Sequence, residues 1–354
     1  MKLSQEQLEL IHYSMLSEPG DSLAHLLFMK FGPGMAAKLP ESVTKRNVVD
    51  YLTAFHPEQL QNLEGTIERF QLRSAVVDPE QAVAGANRWN AKPVFLEQVP
   101  ILAARLGDLG HHAPYMLWVA GDLEALEQSF VGVVGTRQPT GTGLNNTSKL
   151  VRMLNQPVVS GGAKGIDAAA HRAALDIGLT TIAFMAGGLD RAYPLENWSL
   201  FHELVRSGGA LVSEMAPGTA PSRFRFLQRN RLIAAASREL FVVQAAYRSG
   251  SKNTANSARM LGREVFAIPG AWSDRVAQGT NAMIQEGLAK PFHLGLNPRL
   301  DLNDERRRVE DAIRNGAEGE VQIAVESGLP LTAVESMLNL IELEQDHPSA
   351  VIKL

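Results

Sequence analysis

The sequence predicts an α/β protein with a mainly parallel sheet, flanked by an N-terminal helical domain and a C-terminal helical module. Short apolar runs alternate with helix-length segments from Val131 to about Lys290, as expected for strands joined by crossover helices. Apolar residues recur at three- and four-residue spacing in the first 75 residues, and the composition turns charged after Pro298. We therefore expect three domains, at residues 1–75, 76–298 and 299–354.

The composition excludes several classes of functional site. The 354 residues carry a net charge of −4 and include no cysteine, which excludes disulfides, thiolate metal sites and a cysteine nucleophile. No window approaches 18 apolar residues, and the N-terminus mixes polar and charged residues at helical spacing. We expect a cytoplasmic protein without membrane contact. Because the net charge is small, a nucleic-acid site would have to be a local basic patch.

The N-terminal pattern predicts short amphipathic helices, broken at Pro19-Gly20 and at Gly32-Pro33-Gly34. After a poorly patterned stretch, a strand is predicted at 115–121. Six further strands alternate with helices, at residues 131–134, 158–160, 181–186, 210–215, 240–245 and 264–268. Such a sheet is covered on both faces, and ligands bind beyond the carboxyl ends of its strands.

The loop after the first of these six strands reads Gly135-Thr136-Arg137. Glycine allows close backbone approach, the next helix offers unpaired N–H groups, and Arg137 adds a bidentate phosphate ligand. The following Gly141-Thr142-Gly143 lacks the third glycine of a dinucleotide fingerprint. A tight turn without a ligand remains an alternative.

The next loop, Ser160 to Asp167, contains Gly161, Gly162 and Lys164, a set suited to holding a phosphate. We interpret Asp167 first as a helix cap, and His171 as structural rather than as a general base.

The segment between Glu214 and Glu239 contains no acid but holds five arginines with Phe224 and Phe226 interleaved. The arginines stand at Arg223, Arg225, Arg229, Arg231 and Arg238. Guanidinium groups neutralise phosphates and aromatic rings stack on unpaired bases, so this pattern favours single-stranded DNA. The alternative is a pair of core phenylalanines beneath a solvated arginine face.

A third anion-binding loop is predicted at Tyr247 to Thr254, with Ser249, Ser251 and Lys252. Gly279-Thr280-Asn281 opens a later helix, where it could cap the helix or contact phosphate. Near the C-terminus, helices at 321–327 and 332–343 have helix-turn-helix spacing. The second of these helices is acidic, which suits a protein partner better than DNA.

Seven motifs occur in the order found in the DNA-processing protein A family (DprA/Smf), which the chain resembles over about 115–290. They are VGVVGTR (131–137), SGGAKGIDAAAHR (160–172), AGGLDRAYPLEN (186–197), SEMAPGT (213–219), FLQRNR (226–231), SGSKNT (249–254) and GREVFAIPG (262–270). The departures are mild: Thr136 replaces the usual serine, Lys164 a common arginine, and Gln244 an acid that often ends the strand.

This resemblance implies an extended Rossmann-like domain between a sterile-alpha-motif-like N-terminal domain and a winged-helix-like C-terminal module. It implies a homodimer that binds single-stranded DNA, protects incoming strands and loads the RecA recombinase in natural transformation, with no catalytic residue, metal or cofactor. The implied DNA-binding residues are Gly135, Thr136, Arg137, Gly161, Gly162, Lys164, Phe226, Arg229, Asn230 and Arg231.

A nucleotide-processing enzyme of the phosphoribohydrolase (LOG-like) type is the alternative, because related Rossmann variants serve such enzymes. Its candidate groups are Asp167, Asp190 and Glu214. The arginine–phenylalanine segment has no role in that chemistry.

Overall fold

The computed structural model describes residues 3–191, 193–293, 301–335, 337 and 338. Two compact units emerge: the first ends at Pro291 and the second begins at Phe292. The predicted boundary between residues 75 and 76 lies inside the first unit, and the predicted boundary between residues 298 and 299 lies outside the described residues. The three-domain division stays a prediction.

Five helices begin the first unit: α1 (Gln5–Leu16), α2 (Ser22–Ala37), α3 (Ser42–Phe55), α4 (Leu60–Ser74) and α5 (Pro79–Asn87). Ser4 and Gln7 form a capping box that fixes the start of α1. Tyr13 is fully buried among the apolar side chains of α1 to α4, and its hydroxyl donates to the carbonyl of Ala24 at 2.6 Å. The predicted amphipathic helices are therefore present and share one core.

Within the described part of the chain, nine strands form one sheet in the order β1-β2-β6-β5-β4-β3-β7-β8-β9. The strands are β1 (Ala91–Phe95), β2 (Met116–Gly121), β3 (Phe130–Val134), β4 (Val158–Ser160), β5 (Thr181–Met185), β6 (Ala210–Ser213), β7 (Ser237–Val242), β8 (Glu264–Ala267) and β9 (Lys290–Pro291). Strands β3 to β9 run parallel, and β1 and β2 pair antiparallel at one edge. The predicted α/β class with a mainly parallel sheet is confirmed.

Helices cover both faces of the sheet. They are α6 (Pro100–Gly107), α7 (Gly141–Leu154), α8 (Ile166–Leu175), α9 (Trp198–Arg206), α10 (Arg223–Ala236), α11 (Gly250–Met260) and α12 (Gln278–Gln285). Neighbouring strand residues point to opposite faces: Phe184 packs in the core beneath α6, α10 and α11, whereas Met185 packs with α5 and α9.

The strand order reverses at β3. Strands β4 to β6 lie on one side of β3, and β7 to β9 lie on the other. In open parallel sheets, a crevice forms beyond the carboxyl ends of the strands at such a reversal. The loops after β3 and β7 are thereby placed side by side.

The second unit is mainly helical over its described residues. It contains α13 (Asp301–Arg314) and α14 (Gly319–Ser327), and a further helical stretch covers 331–335. Its core includes Val309, Ile323 and Val334. The predicted helix–turn–helix spacing is present, but the end of the second predicted helix and the rest of the winged-helix-like module, 339–354, lie outside the described residues. Across the described residues, no helix combines the length and apolar composition that a bilayer crossing requires.

Candidate nucleic-acid interface

A cleft of about 1120 Å³ opens beyond the carboxyl ends of β3 and β7, where the strand order reverses. Its walls come from the loop after β3, the first turns of α10, and the loop from β7 into the first turn of α11. Most of the residues predicted from the sequence converge here, although they come from three distant parts of the chain.

The loop after β3 is held against the loop after β7. A Cβ on Gly135 would lie 2.8 Å from the carbonyl oxygen of Gln244 and 2.6 Å from Ile166, so this close approach requires glycine. The N–H of Thr136 donates to the same Gln244 carbonyl at 2.7 Å. Arg137 projects from this loop into solvent at the cleft.

The Gln244 side chain also anchors this loop. Its Oε1 accepts from the N–H of Thr140 at 3.1 Å, and its Nε2 donates to the Thr140 hydroxyl at 2.8 Å. A carboxylate at this position could also accept from the Thr140 N–H, but only the amide can donate to the Thr140 hydroxyl. The departure noted at residue 244 therefore has a structural role.

An aromatic platform stands at the centre of the cleft. The half-buried ring of Phe226 lies 4.9 Å from the guanidinium carbon of Arg137 and 5.8 Å from that of Arg229. The ring of Tyr193, 47% exposed, lies 5.4 Å from the Phe226 ring. Tyr193 lies within the motif at 186–197 but was not among the predicted site residues, because a single tyrosine in a loop gives no periodic signal. This arrangement can stack a planar base beside two cations.

Arg229 forms the floor of the cleft. It is 5% exposed, and its Nη1 donates to the carbonyls of Gly161 and Phe184, at the ends of β4 and β5. Burial lowers the pKa of Arg229 to about 10, although the negative charge of Asp167 opposes this shift. The group stays charged at neutral pH. A Cβ on Gly161 would come within 2.6 Å of this guanidinium, which explains that glycine.

Three residues predicted to bind phosphate in the loop after β4, Gly161, Gly162 and Lys164, do not line the cleft. The carbonyl of Gly162 accepts from Asn197 at 2.9 Å, and Lys164 forms an exposed ion pair with Glu196. Their neighbour Asp167 does line the cleft, but burial raises its pKa and it accepts from the N–H of Gly161. A phosphate-binding role for Gly161, Gly162 and Lys164 stays a prediction.

The arginines of the segment between Glu214 and Glu239 differ in their ion-pair partners. Arg231 is buried, and its two Nη atoms bond Glu214 at 2.6 and 2.7 Å. Arg225 pairs with Glu18 at 2.9 Å, and Arg238 pairs with Glu239 at 2.7 Å. Arg223 is exposed at the cleft and has no ion pair within the described residues.

Core phenylalanines beneath solvated arginines, the alternative interpretation of this segment, are not found. Phe224 is 48% exposed, whereas Arg229 and Arg231 are buried. Arg231 does not line the cleft, so its DNA-binding role stays a prediction.

The loop after β7 supplies the opposite wall. The hydroxyls of Ser249 and Ser251 lie 2.9 Å apart, and the Ser249 side chain does not cap α11, so first-turn N–H groups remain open to an anion. Asn230 ties this wall to α10 by donating to the carbonyl of Gly250 at 3.3 Å. Lys252 pairs with Glu286 and lies 5.4 Å over the exposed ring of Tyr247.

The cleft is electropositive. Arg137, Arg223 and Arg248 are exposed there, and none of them has a carboxylate partner in the part of the chain that the structure describes. Asp167 is the one acid among the described lining residues. Three cations, a helix N-terminus and an aromatic platform fit a phosphate-bearing ligand with planar bases.

The groups proposed for an enzyme are engaged elsewhere. Asp190 accepts from the N–H of Gly218 at 2.7 Å, and Glu214 is paired with Arg231. His171 is fully buried against the Thr181 hydroxyl, at 2.7 Å, and burial lowers its pKa to about 3. No cluster of three potential metal ligands occurs among the described residues.

The family model for DNA recombination-mediator protein A matches residues 98–296. The chain belongs to this family. The resemblance carried by the seven motifs is thereby confirmed, and the matched span contains the whole cleft.

Individual relatives of the chain are also DNA processing proteins. The chain is 39% identical over 257 residues to a putative DNA processing protein DprA of Mycobacterium tuberculosis, covering 66% of each chain. It is 41% identical over 179 residues to the DNA processing protein DprA of Streptococcus pneumoniae, covering 50% of this chain and 63% of the relative. The chain thus spans just under two thirds of these relatives. The X-ray structure of the Streptococcus pneumoniae protein superposes with a TM-score of 0.62 at 30% identity, covering 82% of this chain and 95% of that one.

Proposed function

We propose that this chain binds single-stranded DNA in the cleft between the loops after β3 and β7, and acts in DNA processing. The observation that carries the proposal is the Phe226 ring, which lies close to both Tyr193 and the guanidinium of Arg137 in an electropositive cleft. Bases of a single strand are free to stack on such a ring, whereas paired bases in a duplex are not. Exposed arginines and the first turn of α11 would hold the backbone phosphates.

Membership of the family supports a wider role. The matched model describes a recombination mediator, and the relatives are DNA processing proteins. On this basis the chain would act in the cytoplasm as a homodimer, protect incoming single strands in natural transformation and load RecA onto them. It would need no cofactor. If so, adding this chain to RecA and to single strands coated with a single-strand-binding protein should accelerate strand pairing. An unchanged rate of pairing would refute the loading role and leave the proposed DNA binding intact.

The phosphoribohydrolase alternative is not favoured. Such an enzyme needs a carboxylate available to the sugar, but Asp190 and Glu214 are engaged by internal bonds, and Asp167 is buried with a raised pKa. Release of free base from a nucleoside monophosphate by the pure protein would reinstate it.

Fluorescence anisotropy of labelled poly-dT and of a duplex of equal length, across a salt series, tests the proposal. We expect preference for the single strand and affinity that falls with salt as counterions are released. Phe226→Ala should weaken binding by about 5- to 150-fold, the equivalent of about 1–3 kcal/mol for one stacked base.

Phe224→Ala is the matched control, because Phe224 is 48% exposed on the same helix but does not line the cleft. Equal losses from Phe224→Ala and Phe226→Ala, or equal affinity for duplex and single strand, would refute the proposed site.

A further inference from the structure

The carboxyl edge of the sheet continues beyond the cleft. Strand β8 pairs in parallel with β7, with Val242 opposite Ala267, so the loop after β8 lies next to the loop after β7. This further loop carries Trp272, whose side chain is 87% exposed. It also carries Arg275, which is exposed and has no ion pair among the described residues.

The loop that carries Trp272 is well anchored. The Asn281 side chain donates to the carbonyl of Gly270 at 3.0 Å and accepts from its N–H at 3.1 Å. The carbonyl of Val276 accepts from the N–H of Ala245 at 2.7 Å, and the N–H of Gly279 donates to the carbonyl of Ala245 at 2.7 Å. The loop is therefore bonded to Ala245 in the loop after β7, two residues before Tyr247. Hydrogen bonds thus fix the backbone of this loop, and the loop exposes the large indole of Trp272 to solvent instead of burying it.

An aromatic ring with a nearby arginine that has no ion pair among the described residues thus occurs at three neighbouring places along this edge. Phe226 with Arg137 belongs to the cleft, and Tyr247 with Arg248 follows β7. Trp272 with Arg275 follows β8.

We propose that single-stranded DNA leaving the cleft passes over Tyr247 to Trp272, where a base stacks on the indole and Arg275 contacts a phosphate. This inference rests on the proposed function. It assigns the ligand by its chemistry: alternating phosphates and unpaired bases match alternating cations and rings along one edge. It also gives the Gly279-Thr280-Asn281 motif a role, because Asn281 positions the loop that carries Trp272 rather than contacting phosphate itself.

The test compares two lengths of poly-dT against the full chain by anisotropy, one of about 4 nucleotides and one of about 16, the span of reported single-strand site sizes. We expect Trp272→Ala to weaken binding of the longer strand at least about fivefold, as for the loss of one stacked base, and to leave binding of the short strand, which fits in the cleft, unchanged. Trp272→Phe should retain most of the affinity, and Arg275→Ala should reduce the salt slope for the longer strand by about 0.7.

Leu72→Ala controls for removal of an exposed apolar side chain, because Leu72 is 66% exposed on α4 and belongs to no part of the cleft. Indole fluorescence gives a second readout: the longer strand should quench the wild type and quench Trp272→Phe much less. If wild type binds both lengths and Trp272→Ala binds them equally well, the extended path is refuted and the cleft stands. If the wild type binds neither length, both the proposed function and the extended path are refuted.

Discussion

Two arginines on α10, eight residues apart, should respond to truncation in opposite ways. Arg231 is 8% exposed and Glu214 is 11% exposed, with both Nη atoms within 2.7 Å of the carboxylate. The Nε of Arg231 also donates to the carbonyl of His112 at 2.9 Å. Arg231→Ala would leave the Glu214 carboxylate buried without its partner, which typically costs about 3–5 kcal/mol.

This loss is large enough to measure in the intact protein. The first unit ends at Pro291, so it includes up to 291 residues. At about 2.1 cal/mol/K per residue, its entropy of unfolding is about 0.6 kcal/mol/K, and Arg231→Ala should lower Tm by about 5–8 °C. Arg223, exposed at the cleft, should change the free energy of unfolding by less than about 0.5 kcal/mol when truncated.

Thermal unfolding and poly-dT anisotropy, run on both variants, separate the two roles. We expect Arg231→Ala to lose stability while its folded fraction binds DNA with wild-type affinity, and Arg223→Ala to show the reverse. Glu214→Gln should reproduce part of the stability loss, because it removes the same ion pair from the other side. A stable Arg231→Ala protein that binds DNA poorly would refute this assignment and place Arg231 in the DNA site, as the sequence motif implies.

Three further perturbations test other parts of the site. Arg137→Ala should reduce the slope of log affinity against log salt by about 0.7, because one phosphate contact is lost, and a salt titration of poly-dT binding measures this slope; an unchanged slope would remove Arg137 from the contacts. Gly135→Ala should destabilise the protein by about 1–3 kcal/mol in urea unfolding, because its Cβ would lie 2.8 Å from the Gln244 carbonyl oxygen. Gly141→Ala, where nothing lies within 4 Å of the added Cβ, is the control, and similar losses at both positions would contradict the close-approach argument. The pKa of His171 is lowered from 6.5 to about 3 by burial, with Arg229 adding to the shift, so the unfolded chain binds a proton that the folded one does not. Stability from this residue should therefore fall as pH decreases from about 6.5 towards 3, by up to about 1.4 kcal/mol per pH unit, and the difference between wild type and His171→Gln in urea unfolding at pH 7 and pH 5 should show it; a difference that does not change with pH would show that His171 titrates normally.

The sheet was largely predictable from the sequence because its signals are local. The apolar runs that become β3 to β8 are short and bounded by glycine turns, and the parallel order follows from the helices between them. Strand β1 was missed, since Ala91–Phe95 contains Pro93 within a poorly patterned stretch. Proline is tolerated there because β1 is an edge strand. The run predicted at 240–245 begins earlier, at Ser237, where polar residues continue the pairing of β7 with β3.

The cleft was predictable in position but not in the role of each arginine. Topology alone brings the loops after β3 and β7 together, and Arg137 and Ser249 both line the cleft, whereas their DNA contacts stay predictions. The partners of Arg225 and Arg229 are Glu18 and the Gly161 carbonyl, 207 and 68 residues away. No local pattern distinguishes an arginine that meets such a partner from one that faces solvent.

The arginines that do not face solvent still shape the cleft electrostatically. Arg229 lies 5.8 Å from the Phe226 ring and, with a pKa of about 10, keeps its charge at neutral pH although it is buried. The Nη1 of its rigid, planar guanidinium donates to the carbonyls of Gly161 and Phe184 at once, whereas a lysine ammonium would donate without fixed orientation. The same group therefore joins the ends of β4 and β5 and fixes a positive charge beneath the ring on which a base would stack. Because that charge is held by the fold, the cleft attracts phosphate before any exposed side chain is ordered, and the exposed arginines then determine how steeply affinity falls with salt.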